Sequence, residues 1–398
     1  MAAFPVRMAA RERVALDALE GRILAQAVSA QEDVPAFDRS MVDGFAVIAD
    51  EVRDASKAAP VRLRCSGEVL MGTAPGMRVV RGSAIAVATG GAVPDGATGI
   101  VKVEDTTRAG DEVLVFDGAD AADRINLARS DVSAGDALFS AGHVIDPPAL
   151  GLLAAAGVAS VEAFVPSVIG VLITGDELVA PGELLRHGQI RESNGTAICG
   201  ALSALGFSPR RYERVPDDRP IFARALARAL RECDGVVISG GSSVGARDFT
   251  PGLVGEAGDP GVIVHGVAVR PGRPVLLGMV GDRPVLGLPG NPVSALVMFE
   301  ALAKPILLRM FAKVDDTLPS RAVLSEKIEV GAGLEHRVPV QLSRAPDGLR
   351  ARPLFGTSSQ THILAFADGI VVVPEGMTSV APGSPVDVWP FTRSRTLR

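Results

Sequence analysis

The stretch Gly240-Gly241-Ser242-Ser243-Val244-Gly245 follows directly on the apolar run Gly235–Ser239. Glycines there let the backbone approach a ligand closely, and free N–H groups beside two hydroxyls suit an anion such as phosphate. The stretch is neither a Walker loop nor a GxGxxG fingerprint. A bare Gly-Gly also fits a plain tight turn, but the two serines and Asp248 behind them favour a phosphate or mononucleotide site. Thr174 to Leu178, Thr-Gly-Asp-Glu-Leu, closes another apolar run. Acids such as Asp176 and Glu177 beyond a strand's carboxyl end can hold Mg²⁺ or orient water, although acidic strand caps are common without function. Pro216-Asp217-Asp218 stands just before Pro220, where helix capping by aspartate is the simpler explanation.

Arg270 and Arg273 flank Pro271-Gly272, so both guanidinium groups can converge on one side. Paired arginines fixed by a rigid turn bind tetrahedral oxyanions well, with solvated turn charges as the bland alternative. Residues 287–295, Gly-Leu-Pro-Gly-Asn-Pro-Val-Ser-Ala, place Pro289 and Pro292 around a Gly-Asn turn, a stiff wall and not a catalyst. Nearer the N-terminus, Asp38 and Asp43 frame Asp-Arg-Ser-Met-Val-Asp, and Asp43-Gly44 could simply be a turn. The polar loop at 88–96 offers Thr89 as a ligand contact, and Asp131 sits at the exit of this block.

These residues need a scaffold. Residues 11–30 read as a short helix, with Val14, Ala18 and Leu19 on one face, then an extended segment. From 31 to 135 short strands alternate with Gly, Pro and Asp turns: Val61, Leu63 and Cys65 alternate with arginines, and Ala84–Ala88, Gly99–Val103 and Glu112–Phe116 are further strands. Leu150–Val158 is a small apolar helix. From 166 to 312 strands alternate with helices. Val168–Ile173, Gly235–Ser239, Val262–Val264, Val275–Leu277 and Val285–Leu288 are apolar runs of the parallel-sheet kind. Ser193 or Asn194 can cap one helix, Pro220 opens a second with Ile221, Phe222, Ala225, Leu226, Ala229 and Leu230 on one face, and a third spans Val293–Phe311. This pattern predicts an open α/β sheet, with ligands at the strands' carboxyl ends. From 318 the texture is β again, a small barrel or sheet.

Composition narrows the function. The 398 residues carry a net charge of −6, so no global field attracts nucleic acid, and any anion must be held locally. Cys65, Cys199 and Cys233 are too scattered for CxxC chemistry, and no HExxH occurs. No run is long enough for a membrane helix and no signal-peptide core is present, which predicts a cytoplasmic protein.

Together the motifs resemble one family, the molybdenum insertases of the bacterial MoeA type with their eukaryotic relatives, including the E domain of gephyrin. The markers are Phe-Asp-Arg-Ser-Met-Val-Asp-Gly-Phe-Ala, Ala-Thr-Gly-Gly-Ala-Val-Pro-Asp-Gly, Thr-Gly-Asp-Glu-Leu, Gly-Gly-Ser-Ser-Val-Gly-Ala-Arg-Asp, Arg-Pro-Gly-Arg-Pro and Gly-Leu-Pro-Gly-Asn-Pro-Val-Ser-Ala, in family order from about residue 11 to the end. The resemblance implies a dimerising α/β multidomain subunit: a linking domain (11–30 with 136–163), a β-rich insert (31–135), a molybdopterin-binding open α/β sheet (164–316) and a C-terminal β-barrel (317–398). It implies a Mg²⁺-dependent enzyme that inserts molybdate into adenylylated molybdopterin with release of AMP, alongside other molybdenum-cofactor biosynthesis proteins. The alternative is a non-catalytic molybdopterin-binding or scaffolding protein.

By residue, the resemblance implies catalytic positions at Asp43, Thr89, Asp131, Glu177, Asp217 and Asp248, with Glu177 and Asp248 toward the metal. It implies molybdopterin or phosphate contacts at Gly240, Gly241, Ser242, Ser243, Gly245, Pro289 and Pro292. Molybdate falls to Arg270, Arg273, Arg337 and Thr361, with Ser358 or Ser359 able to serve in place of Thr361. One departure is chemical: the Arg-Pro-Gly-Arg-Pro motif is often Lys-Pro-Gly-Lys-Pro in the family, and arginine keeps the charge but changes reach and hydration.

Overall fold

The computed structural model describes residues 4–7, 10–240, 249–313, 315 and 317–392. The chain forms two compact units, residues 12–163, and residues 164–398 with the N-terminal 11. No helix among the described residues is long and apolar enough to cross a membrane.

In residues 12–163, six strands make one curled sheet: β1 (Gly44–Val47), β2 (Val61–Val69), β3 (Ser83–Val87), β4 (Gly99–Lys102), β5 (Thr106–Ala109) and β6 (Glu112–Val115), in spatial order β4-β1-β3-β2-β6-β5. Along β2 the alternation is obeyed: Leu63 and Cys65 are buried and Arg62 and Arg64 exposed. A separate small core joins distant segments, Val14, Leu19, Leu24 and Val28 packing with Ile145, Leu153 and Val161 around helix α1 (Pro147–Ala155). The helix expected near residue 11 is absent. Arg11–Ala15 is a strand and Leu16–Ala18 one 3₁₀ turn, because only Val14 of that strand is buried and the next core residue, Leu19, is reached by a bend.

The larger unit carries an open α/β sheet: β7 (Val168–Ile173), α2 (Asn194–Ala204), β8 (Ser208–Arg211), α3 (Arg219–Glu232), β9 (Gly235–Ser239), β10 (Pro260–His265), β11 (Leu276–Val280), β12 (Arg283–Leu288) and α4 (Pro292–Met298). Spatial order is β8-β7-β9-β12-β11-β10. The first four strands run parallel, with β7, β9 and β12 buried on both faces. The parallel expectation fails for the last two. β11 is antiparallel to β12 and β10 to β11, since a tight turn through Gly281 (φ +60°) joins β11 to β12 and reverses the chain. β8, with Pro209 and two arginines, hid its strand character in the sequence; it is an edge strand, where proline is tolerated.

Helix α3 buries Phe222, Leu226, Ala229 and Leu230, while Ile221 is exposed. The long helix beginning at Pro292 widens into a π segment over Phe299–Ala303 before Lys304–Met310; Pro305 has no N–H to give the preceding turn. Beyond it, β13 (Ser320–Leu324), β14 (Glu335–Ala345), β15 (Gly348–Pro353), β16 (Gly369–Val373) and β17 (Pro385–Pro390) close a five-stranded barrel, β14-β15-β13-β17-β16 and back to β14. Its core is Leu324, Val340, Ala351, Val371, Val373 and Val388.

Candidate functional site

Parallel pairing sets the carboxyl ends of β7, β9 and β12 side by side, with Ile173 opposite Ser239 and Ser239 opposite Leu288. The chain leaves β9 through Gly240 at φ +102°, where a Cβ would stand 2.2 Å from the Thr174 carbonyl oxygen. Only glycine fits so close to backbone. The rest of that loop, Gly241, Ser242, Ser243, Gly245 and Asp248, lies outside the described residues.

At the end of β7, buried Thr174 donates its hydroxyl to Asp217 Oδ1 at 2.7 Å, and the Asp217 amide donates to Asp176 Oδ1 at 3.2 Å. Arg214 donates to the Gly175 carbonyl at 3.0 Å and stands 4.0 Å from Asp176. Capping is done by Asp218, which accepts from the Ile221 amide at 2.8 Å, so Asp217 is not consumed as a helix cap. Glu177 is exposed; its carboxylate folds over Gly175, where a Cβ would meet Oε2 at 2.9 Å.

Between these ends lies a buried polar relay. Asn194, the first residue of α2, donates one amide hydrogen to Ser239 Oγ (2.9 Å) and another to the Gly290 carbonyl (2.8 Å), and Ser239 donates to the Pro289 carbonyl (3.1 Å). Pro292 opens α4. Asn291 donates to Ser358 Oγ at 3.1 Å and the Val293 amide to the Ser358 carbonyl at 3.0 Å, which ties this loop to the segment after β15.

That segment walls a cavity of about 650 Å³. Arg270, Arg273 and Arg337 all line it, with Ser294, Thr357 and Ser358 as hydroxyl donors and Val338, Leu354 and Phe355 as apolar wall. Pairing explains the convergence: Val269 and Arg270 run parallel beside Glu335 and His336 at the start of β14, one residue before Arg337. Gly272 turns at φ +116°. Arg337 is held by Glu335 at 2.8 Å, whereas Arg270 and Arg273 are exposed to the cavity without an acidic partner among the described residues. Thr361, expected to contact the oxyanion, is not among the residues that line the cavity; it caps the short helix His362–Phe366, whose Ile363 does line it. Ser358 does line it, and Ser359 is bonded to Thr357 at 2.9 Å.

In the smaller unit, antiparallel pairing of Gly44 with Val87 brings the residues flanking β1 and β3 together. Asp43 Oδ1 accepts from the Thr89 amide (2.6 Å) and the Thr89 hydroxyl (2.9 Å). These donors, the amide foremost, hold the carboxyl below the usual carboxylate range. Asp43-Gly44 is not a turn: Gly44 begins β1, and a Cβ there would lie 2.0 Å from the Val101 carbonyl oxygen. Asp131 is exposed, its amide bonded to the Val34 carbonyl at 3.1 Å, and it takes no part in the Asp43–Thr89 pair. Sequence reasoning missed Ser239 and the lateral role of Asn194. Their signal, a polar residue at the end of an apolar strand and an Asn after a competent cap, was present but ambiguous.

Family models match three successive regions of the chain. "MoeA N-terminal region (domain I and II)" matches residues 2–157, "Probable molybdopterin binding domain" residues 170–309, and "MoeA C-terminal region (domain IV)" residues 321–391. The chain is 33% identical over 392 residues to molybdopterin molybdenumtransferase 2 of Mycobacterium tuberculosis, covering 95% of both chains. It is 30% identical to the molybdopterin molybdenumtransferase of Bacillus subtilis, over 95% of this chain and 89% of that protein. Its fold superposes on a crystal structure of the molybdopterin biosynthesis MoeA protein from Pyrococcus horikoshii with TM-score 0.82 and 32% identity, covering 99% and 97% of the two chains. With three successive regions matched and full-length relatives at this identity, the chain belongs to the MoeA family of molybdopterin molybdenumtransferases.

Proposed function

We propose that this protein is a molybdenum insertase, which takes molybdate and adenylylated molybdopterin to molybdenum cofactor and AMP. The observation that carries the reading is the convergence of Arg270, Arg273 and Arg337 on one cavity. Molybdate is a compact tetrahedral dianion, and the chain's net charge of −6 repels it at long range, so local charge-assisted donors must capture it. The strand ends of β7, β9 and β12 supply the complementary surface for a phosphate-bearing pterin, at the position where open α/β sheets bind ligands. Asp43, with both Thr89 bonds on Oδ1, keeps Oδ2 for a metal or water.

Magnesium belongs to the same proposal. No group of three or more metal-ligating side chains occurs among the described residues. Mg²⁺ is commonly held by one or two carboxylates with substrate phosphates and water completing the shell. Exposed Glu177 and Asp176 offer such carboxylates, and the ion would neutralise phosphoanhydride charge. We also place the protein in the cytoplasm as a homodimer.

The central experiment adds molybdate to the protein loaded with adenylylated molybdopterin and follows AMP. An insertase releases AMP on molybdate addition and stalls when Mg²⁺ is chelated; binding without release identifies a scaffold. Sedimentation tests the dimer, and cell fractionation the location.

A further inference from the structure

The helix that begins at Pro292 does more than line the arginine cavity. Val293 and Ser294 face that cavity, and buried Met298 lies against the arginine turn, where a Cβ on Gly272 would meet its Cγ at 2.2 Å. Further along, Glu300 in the π segment and Lys304 just after it keep side chains only 12% and 7% exposed. Both reach the ends of the barrel chain. Glu300 Oε1 accepts from the amide of Thr392, just beyond β17, at 2.9 Å. Lys304 Nζ donates to Thr317 Oγ1 at 2.9 Å and stands 3.4 Å from Asp315, both shortly before β13. The two side chains meet through Glu300 Oε2 at 3.8 Å. One buried ion pair on one stretch of helix thus holds the chain where it enters the barrel and where it leaves.

A buried ion pair is a poor way to gain stability, because desolvation offsets the attraction; its best-attested use is to specify register. The apolar contacts beside it, Ile363, Ile370 and Phe391 against the α/β core, are non-directional and tolerate a shift. Register matters because the cavity is shared. Arg270 and Arg273 come from the segment before β11, whereas Arg337 and Ser358 come from β14 and the segment after β15. Backbone bonds near the cavity already join the two parts: the Val293 amide donates to the Ser358 carbonyl at 3.0 Å, and the Glu335 amide to the Ala268 carbonyl at 2.9 Å. Attachment there alone leaves a hinge. A second attachment, at the barrel's entry and exit, fixes the angle.

Resting on the functional reading above, we infer that Glu300 and Lys304 are positioning residues: by clamping both ends of the barrel chain to the helix that bears the arginine turn, they hold Arg337 and Ser358 at the distance from Arg270 and Arg273 that molybdate requires. Neither lines the cavity itself. Molybdate affinity depends on the pair. Affinity for the adenylylated pterin, which the strand ends of β7, β9 and β12 serve, does not.

The test uses the full chain, with AMP release titrated against molybdate and against adenylylated molybdopterin. Lys304→Met should raise the half-saturating molybdate concentration about tenfold, what one aligned charge-assisted bond contributes, and leave the pterin KM within about twofold. It also leaves Glu300 buried without its cation, so the variant should melt earlier. Adding Glu300→Gln removes that orphaned charge and keeps an acceptor for the Thr392 amide. The double variant should therefore regain most of the lost Tm but none of the molybdate affinity, a split that a merely structural role does not produce. Thr317→Val deletes one hydroxyl at a half-buried position and should raise the molybdate requirement about threefold. It carries the decision if the Lys304 variants fail to fold or the double variant does not regain Tm. Unchanged molybdate titrations, an equal rise in the pterin KM, or molybdate affinity that returns together with Tm would each overturn the inference. A wild-type chain that releases no AMP refutes the functional reading instead. The clamp is then read in the protein alone, by amide hydrogen exchange at Val293 and Glu335, whose bonds bridge the two parts. Lys304→Met, or Thr317→Val in its place, must accelerate exchange there, and unchanged protection would refute the clamp.

Discussion

Replacing Arg273 by alanine tests most directly whether the three-arginine cavity takes molybdate. Of the three arginines lining it, Arg337 is already paired with Glu335 at 2.8 Å, so much of its charge is spent within the protein. Arg270 and Arg273 carry the uncompensated charge. A charge-assisted hydrogen bond contributes about 1.5–3 kcal/mol, which is roughly 10- to 100-fold in an equilibrium constant. Arg273 is exposed, so solvent and salt take part of this and the lower end, near tenfold, is expected. The assay titrates molybdate into protein saturated with adenylylated molybdopterin and reads AMP. The half-saturating molybdate concentration should rise about tenfold, more at low salt than at high, while the pterin KM stays put. Arg273→Lys should be mild, since it keeps the charge and loses only the planar fork. A parallel loss of pterin binding would put this arginine on the phosphate, and an unchanged titration would leave residues 270–273 as a solvated turn.

Other predictions draw on different parts of the fold. Gly240→Ala meets the Thr174 carbonyl at 2.2 Å in a left-handed conformation, so strain and overpacking of about 2–4 kcal/mol should lower Tm by several degrees and abolish AMP release; Gly281→Ala, also left-handed but with open space around it, should cost only about 1–2 kcal/mol and keep activity. Thr89→Val removes the hydroxyl bond to Asp43 and leaves the amide bond, so the NMR-titrated pKa of Asp43 should move part of the way back toward its ordinary value of 3.8. Lys313 donates to the Gly206 carbonyl at 2.9 Å and lies over the Phe207 ring, and burial pushes its amine down to about 8. The unfolded chain therefore binds more protons than the folded one between pH 8 and 10.5, and stability should rise with pH across that window relative to Lys313→Met; parallel melting curves for the two proteins would refute it.

What the sequence made legible follows from which interactions are local. Hydrophobic runs placed β7, β9 and β12 nearly to the residue because these strands are buried on both faces, and continuous apolar character has few other uses. The same reasoning misjudged β10 and β11, since an apolar run carries no record of direction; that was decided by the short turn at Gly281. Edge strand β8 escaped because solvent removes the pressure for apolar residues. Site residues divide along the same line. Arg270, Arg273 and Gly240 could be singled out because glycine and paired charge are costly unless the backbone or a ligand needs them. That Ser358 lines the cavity and Thr361 does not, that Asp218 and not Asp217 is the cap, and that Asn194 is a bridge depended on which of several nearby polar residues faces inward. Hydrogen-bond partners 41 to 96 residues apart settle that choice, as in Asp217 with Asp176 and Asn194 with Gly290, and nothing in the local sequence encodes them. The site is thus a product of strand register: one residue's slip in β9 would turn Ser239 away from Asn194 and move Gly240 off the Thr174 carbonyl.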